Sequence, residues 1–444
     1  MVVAVMARDA EDKASPRGGG GLGARVRATV LALGSSRLGC NGAAIMGVQI
    51  ANLILPLVLI PYLTRVLGPA GYGTMAYAAG IALLLSIIAD YAFNWTATRQ
   101  VAAARHEPAT VGRVIRCVLL IKTVLMLAVM AFYGALMLLV PGWWDDRWVF
   151  IASMAMIVGQ VYLPMWALQG LERMVGFAIA LIGWRLASMV AILLLVRSPD
   201  DVAYAVLLQG LPLILVAFTG WPTAWAEVTA VRGWPKWAEI WAQLRDGARV
   251  FVAMATINFY TSIQVVLVSS VGGPVAAGYW GAAERCLTAV KAVISVLFQI
   301  ALPRVAYLAA HDPDAGLQFL RRALVLGASG GAVLSAGMWL GADLGTWILF
   351  GPAFGPSADV IRVLAPIPLL VGISMVTSSL FLFNYGHQSL FTWIVIGAAA
   401  LNLSLFLVLS LVFSAPMAAA GGSVAAEAVV ALVSWWTFRR YVTA

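Results

Sequence analysis

The stretches AARHEPA at 103–109 and LAAHDPD at 308–314 decide how this chain is organised. Each sets a histidine, an acid and a proline in a row, His106-Glu107-Pro108 and His311-Asp312-Pro313, at an offset of 205 residues. The chain has only three histidines, so two with the same neighbours invite a search outward. At the same offset Arg99 maps to Arg304, Arg116 to Arg321, and Gly68-Pro69 to Gly273-Pro274. After a two-residue shift, AGYG at 70–73 matches AGYW at 277–280. Matches in order across two separate loops indicate an internal duplication. An acid followed by proline suits a turn ahead of a new helix, so the histidines are read as loop markers rather than catalytic groups.

The surroundings of these loops are apolar. Hydrophobic residues make up 62% of the 444 and charged residues only 11%, against about 25% charged in an ordinary soluble domain. A membrane-crossing helix needs roughly 20 mainly apolar residues. Twelve such runs lie near 43–64, 74–96, 114–140, 148–169, 174–196, 202–222, 248–270, 275–302, 322–342, 360–383, 389–413 and 417–438. The Gly-Pro motif falls between runs 1 and 2 and again between 7 and 8. The His-acid-Pro motif falls between runs 2 and 3 and again between 8 and 9. Each repeat therefore holds six crossings, which return the chain to its starting side. The expected fold is an all-α integral membrane protein of twelve transmembrane helices, in two six-helix lobes related by a pseudo-two-fold axis along the membrane normal. The expected divisions are a flexible extension at 1–41, an N-terminal lobe at 42–222, an interfacial linker at 223–247 and a C-terminal lobe at 248–444. The linker contains RGWPKWAEIWAQLR, with Trp237 and Trp241 four apart, as in an amphipathic helix lying in the interface.

Lys and Arg set the orientation. With the N-terminus in the cytoplasm, twenty of the 28 basic residues fall on the cytoplasmic side. Arg65, Arg147, Arg197 and Arg362 fall on the other, and Lys122, Arg185, Arg285 and Lys291 lie inside the runs. Both termini are thus expected in the cytoplasm. The same bias accounts for the net charge of +9 without nucleic acid. Cys40, Cys117 and Cys286 have no metal or redox spacing, and the histidines show no zinc-protease pattern. GGGGLG at 18–23 follows no strand, so it is not a dinucleotide fingerprint. No metal or organic cofactor is expected.

Ionisable groups inside a membrane are costly, at least ~2.5 kcal/mol on insertion scales, and need a partner, water or a role. Asp90, Lys122, Arg185, Glu284, Arg285, Lys291 and Glu427 are such groups. Glu284, Thr288, Lys291 and Ser295 share one helix stripe. Ser86, Asp90 and Asn94 form a second, and Asn258, Ser262 and Ser269 a third. One reading is a hydrated cationic cavity in which Arg65, Lys122, Arg185, Arg285 and Lys291 bind an anionic substrate and Asp90, Glu284 and Glu427 bind a coupling cation, proton or sodium. The other is that the charges neutralise one another as structural pairs. Pro56 and Pro61 in run 1 and Pro366 and Pro368 in run 10 mark bends or hinges. Gly327, Gly331, Gly337 and Gly341 in run 9 suit close helix packing within a lobe. GWWDDRW at 142–148 reads as an aromatic interface belt.

NLILPLVLIPYLTRVLGPAGYG at 52–73, followed by DYAFNWTATRQVA at 90–102, resembles bacterial polysaccharide flippases, the O-antigen-type branch of the multidrug/oligosaccharidyl-lipid/polysaccharide exporter superfamily. The detailed likeness covers the first three runs, and VGGPVAAGYWGAAERC at 271–286 extends it more weakly. The resemblance implies movement of an undecaprenyl-diphosphate-linked oligosaccharide from the cytoplasmic to the periplasmic leaflet of the inner membrane, by alternating access between two lobes. It implies service to O-antigen, capsule or exopolysaccharide synthesis. Its implied partners are the lipid-linked glycan, membrane lipids, and polysaccharide polymerase and chain-length machinery, with the protein itself a monomer. Two other readings stand beside it. A cation-coupled multidrug exporter of the same superfamily predicts a smaller, more acidic pocket. A membrane polymerase or glycosyltransferase predicts a large extracytoplasmic loop, and the loops here are short.

Overall fold

A computed structural model describes residues 37–231 and 233–443, apart from some side chains within them. The described residues are helical nearly throughout. In chain order the helices are α1 (Arg37–Asp90), α2 (Phe93–Ala103), α3 (Pro108–Leu139), α4 (Arg147–Tyr162), α5 (Met165–Gly170), α6 (Met174–Leu195), α7 (Val202–Gly220) and α8 (Trp225–Thr229). After these come α9 (Trp237–His311), α10 (Pro313–Leu340), α11 (Ala342–Leu349), α12 (Gly355–Leu364), α13 (Ile367–Ser374), α14 (Gln388–Leu409) and α15 (Ala415–Thr443). A π-helical segment, Met375–Leu382, continues α13.

Ten stretches among the described residues are long and apolar enough to cross a membrane. The difference from twelve arises at two glycines. α1 runs through Gly68 at φ 66°, ψ 178°, and α9 through Gly273 at φ 77°, ψ −177°. This backbone region is open essentially only to glycine, and the proline that follows each has a fixed φ and no N–H to satisfy. Each junction therefore redirects the chain without an intervening loop, so two expected crossings merge into one helical stretch.

The two Gly-Pro junctions also lie against each other. A methyl group on Gly73 would sit 1.7 Å from the Pro274 carbonyl oxygen, and one on Gly278 would sit 2.1 Å from that of Pro69. Residue 73 plus 205 is 278, and 69 plus 205 is 274. The contact is thus reciprocal under the repeat, as at a two-fold interface. It also corrects the sequence alignment. The structure keeps the 205 offset through Gly73 and Gly278, and the two-residue shift that aligned AGYG with AGYW follows chance similarity.

The chain divides into two compact units, one ending at Gly278 and the other beginning at Tyr279. The first of these units includes α9 up to and beyond its kink, which contacts α1 and α2. The 223–247 segment differs from a separate interfacial linker. Its first part is a 3₁₀ turn and α8, whereas Trp237 onward is already α9. Ile240 and Leu244 pack on the core formed by Phe93, Val101, Ile115 and Trp166. Trp237 and Trp241 remain exposed, as the amphipathic pattern requires.

The extension also ends earlier than expected. Residues 37–41 are helical, and Asn41 is tied to the α5–α6 junction, donating to the Glu172 carbonyl and accepting from the Met174 N–H. Residues 1–36 lie outside the described residues. Of the aromatic belt, Trp144 and Trp148 are exposed with Arg147 over both rings. Trp143 is instead core, stacked on Phe150 at 4.5 Å.

In the second unit, the core gathers Val305, Leu320, Phe381 and Phe438. α10 packs closely on α13. A methyl on Gly327 would meet the Gly372 carbonyl at 2.6 Å, and one on Gly331 the Pro368 carbonyl at 2.6 Å. Gly337 faces open space, so two of the four run-9 glycines carry the packing. Run 10 is interrupted between α12 and α13, where Pro366 caps α13 and Pro368 is in its first turn, and the Leu369 N–H there is taken up by Ser335 Oγ at 3.0 Å. Pro56 and Pro61 lie inside an unbroken stretch of α1.

Candidate functional site within the membrane-spanning helices

In the first unit, α1 stops at Asp90 because Tyr91 and Ala92 both adopt left-handed conformations, φ 49° and 57°. Neither is glycine, so each costs on the order of 1–3 kcal/mol that the surroundings must offset. Tyr91 is held by stacking on Phe251 at 4.5 Å and by its hydroxyl donating to the Leu244 carbonyl at 3.2 Å. At the break, Asp90 Oδ1 lies 2.6 Å from Lys122 Nζ. Asn94 Nδ2 donates to Asp90 Oδ2 at 2.9 Å, and the Trp166 ring centre is 6.0 Å from the ammonium. Lys122 is fully buried (0% of its side chain exposed). Asp90 Oδ1 and Lys122 Nζ have no other hydrogen-bond partner among the described residues, so each depends on the other for charge compensation.

The second unit holds a looser cluster. Lys291 Nζ lies 3.5 Å from Glu427 Oε1, with side chains 40% and 21% exposed. Glu284, about two helical turns before Lys291 on α9, lies within electrostatic reach of Arg285 and Lys291. Thr288 is exposed on the same stripe, and Ser295 donates to the Ala292 carbonyl of its own helix at 2.8 Å. Four of the sequence-derived residues thus gather here: two bases and two acids on α9 and α15.

Arg185 is half-buried on α6, apart from that cluster, whereas Arg285, within it, is exposed on α9. Among the described residues, no acid lies within ion-pair distance of either. Arg65 is exposed near the Gly68 junction, with Nη1 3.5 Å from the Pro61 carbonyl. The Asn258 side chain lies outside the described residues. The arrangement offers guanidinium groups suited to an anion, half-exposed carboxylates suited to a proton or cation, and one sealed pair.

The sequence reading missed a cavity of about 880 Å³ bounded by Asn41, Arg105, His106, Glu172, Arg173 and Thr223. Arg105 pairs with Glu172, and Arg173 Nη2 pairs with Glu227 at 2.8 Å. Glu172 is left-handed at φ 57°. The Glu172-Arg173 doublet in a short loop was the available signal, but only its charge entered the orientation count. His106 accepts from Arg105 Nε at 3.1 Å, whereas His311 stacks on Tyr307 at 4.3 Å. The helices that follow begin at Pro108 and Pro313, as the motif predicts.

Residues 38–308 match the model of a family described as polysaccharide biosynthesis protein. The chain belongs to that family. It is similar to "Putative O-antigen transporter" of Escherichia coli (strain K12), at 26% identity over 82% of this chain and 88% of that protein. A protein of the same name from Shigella dysenteriae is 24% identical over 80% of this chain and 88% of its own. Among solved structures, an inward-facing multidrug resistance MATE family transporter of the MOP superfamily aligns with a TM-score of 0.66 at 14% identity, covering 90% of this chain and 98% of that one. An outward-facing transporter of that family aligns at 0.52 and 16% identity, covering 93% and 98%. At such identities the likeness is one of fold: this member of the polysaccharide biosynthesis family is a multi-pass membrane protein with the MATE transporter fold.

Proposed function

We propose that the protein moves a lipid-linked oligosaccharide, carried on undecaprenyl diphosphate, from the cytoplasmic to the periplasmic leaflet of the bacterial inner membrane by alternating access. It acts as a transporter and makes no covalent change to its substrate. The observation that carries the reading is the likeness to "Putative O-antigen transporter" over 82% of the chain, in a protein that also has a transporter fold. Family membership in polysaccharide biosynthesis points the same way. The termini face the cytoplasm, twelve crossings result when the legs on either side of Gly68 and Gly273 are counted separately, and the repeats are related by a pseudo-two-fold axis along the membrane normal.

Arg185 and Arg285 are the groups best suited to a diphosphate. A guanidinium keeps its charge even when half-buried and grips two oxygens at once, and no acid among the described residues lies within ion-pair distance of either, although Glu284 is within electrostatic reach of Arg285. Glu284 and Glu427 are the carboxylates placed to bind a coupling proton or sodium ion. Polymerase and chain-length machinery would receive the product on the periplasmic face. Deleting the gene should raise the amount of undecaprenyl-linked repeat units on the cytoplasmic leaflet and reduce export. An unchanged leaflet distribution would refute the proposal. Arg185→Ala or Arg285→Ala, expressed at normal level, should restore export poorly, and full restoration would remove that residue from the site. A drug-exporting role is favoured by the fold alone; raised drug susceptibility with normal glycan export in the deletion strain would select it.

A further inference from the structure

α3, α4 and α7 belong to stretches long and apolar enough to cross a membrane. Where the first part of α3 runs beside the ends of α4 and α7, a groove of about 880 Å³ remains between them. Leu119, Val158, Ile214, Phe218, Trp221 and Trp225 are among the residues that line it. Phe218 and Trp225 are exposed, so the groove opens onto the protein surface. Polar atoms in its wall are paired within the protein. The Tyr162 hydroxyl bonds Thr123 at 3.0 Å, and the Trp221 N–H donates to the Tyr162 carbonyl at 2.8 Å. Such a wall offers water or a sugar little to bond. Its volume is that of a ligand cleft, about 300–1,000 Å³, and the occupant it fits is a hydrocarbon chain.

One end of the groove carries charge. Gly112, Arg116, Leu119 and Thr123 share a face of α3, which sets Arg116 one turn before the lining residue Leu119. Arg116 Nε donates to the carbonyl of Val228, another lining residue, at 2.9 Å, and Nη1 donates to the Gly233 carbonyl at 3.0 Å. Its Nη2 has no partner among the described residues. Lys236 is exposed three residues beyond Gly233. The acids of this region are engaged elsewhere. Glu227 is buried against Arg173, and Glu239 accepts from the Lys236 N–H at 2.9 Å. A guanidinium at the head of an apolar slot is the arrangement that holds the phosphate of an anionic lipid. Trp221 and Trp225 suit the same depth, each with an apolar ring and a polar N–H.

The groove is also confined to one end of the helices. Val158 lies four residues before the end of α4 and Ile214 six before the end of α7, a depth of about 10 Å. A lipid carried from one leaflet to the other needs contacts at every depth. A slot limited to one end, with no group for a glycan, suits a lipid that stays in its leaflet.

We propose that this groove binds one anionic phospholipid of the surrounding bilayer, with an acyl chain along Leu119, Ile214 and Phe218 and its phosphate on Arg116. This goes beyond the transport reading and does not depend on it.

The test uses the purified full-length protein in nanodiscs of phosphatidylcholine. A trace of phosphatidylglycerol carries a photoactivatable diazirine on its acyl chain. Cross-links mapped by peptide mass spectrometry should concentrate on Leu119, Val158, Ile214 and Phe218. Unlabelled phosphatidylglycerol should compete about tenfold better than phosphatidylethanolamine, as expected from one hydrogen bond to a charged group. Arg116→Gln keeps donors for the Val228 and Gly233 carbonyls and should erase that preference. Ile214→Trp fills the slot and should remove the cross-links. If either variant folds poorly, the competition on the unaltered protein still decides.

Cross-links spread evenly onto other exposed apolar residues of α3, such as Val124 and Leu127, would mean an ordinary lipid-facing surface and overturn the proposal. Equal competition by the two phospholipids would overturn it as well, since a groove without charge selection takes any lipid. Displacement by undecaprenyl phosphate at a lower concentration than by phosphatidylglycerol would assign the groove to the transported lipid instead.

Discussion

The two ion pairs inside the helices differ in almost every respect except chemistry. Asp90–Lys122 is made at 2.6 Å with the lysine fully buried. Lys291–Glu427 is made at 3.5 Å with 40% of the lysine side chain exposed. In the first, the lysine has lost its solvent and its charge depends on the Asp90 carboxylate, which Asn94 also holds. In the second, the charges keep access to whatever fills the space beside them. A lysine–carboxylate pair within an apolar helix bundle is therefore not one kind of feature. Burial separates a pair sealed from its surroundings, that of Lys122, from one that stays accessible, that of Lys291.

That contrast can be broken most directly at Lys122. Lys122→Met leaves the Asp90 carboxylate buried without compensation, and removing one partner of such a pair costs about 3–5 kcal/mol. We expect low yield and early thermal unfolding in detergent, with much of the loss recovered in Asp90→Asn/Lys122→Met, where no charge is stranded. A single variant as stable as the parent would show that the pair secures nothing. Lys291→Ala should behave in the opposite way. Half-exposed pairs contribute about 0–1 kcal/mol, so thermal stability should barely change while glycan export falls; equal loss of stability in both variants would erase the distinction.

The backbone beside the first pair offers a finer test. Ala92 is left-handed at φ 57°, a conformation that glycine adopts without a Cβ penalty. Ala92→Gly should stabilise the protein by up to about 1 kcal/mol, the relieved strain exceeding the added entropy of the unfolded chain. Destabilisation would mean that the tight turn is held by the alanine side chain itself.

The smallest effect is expected for an acid outside the membrane, which serves as the reference for both pairs. Asp201 accepts from the backbone N–H groups of Arg197 at 2.9 Å and Ser198 at 2.8 Å. Those bonds favour the carboxylate and hold its pKa below the ordinary value. The stability it contributes is therefore present above the usual aspartate pKa of about 3.9 and is lost as pH falls through the lower folded value. Asp201→Asn should unfold marginally earlier at neutral pH and lose that acid-limb dependence. An unaltered pH profile would mean that the two N–H bonds do not bias the titration.

Much of the architecture was legible because it depends on composition and order along the chain. The His-acid-Pro motifs located two equivalent helix starts at Pro108 and Pro313, and the Gly-Pro motifs located two equivalent kinks. The same reading failed where a glycine let a turn pass without a loop, so that run 1 merged with run 2. It also misread Trp143, whose ring stacks on Phe150 while Trp144 and Trp148 are exposed. The candidate charges were each visible as ionisable residues in apolar runs. Their pairings were not, since Asp90 and Lys122 sit on different helices whose relative rotation leaves no trace in the spacing of either.

The order of residues by itself determined that this chain is a duplicated, all-helical membrane protein, because hydrophobic length and the repeat offset are properties of a single strand of chain. Only the tertiary structure decided which lysine is sealed and which stays accessible, and where the compact units divide. Both depend on how closely two helices approach. At Gly73 against Pro274 and at Asp90 against Lys122, that approach is set by the shapes of surfaces distant in sequence.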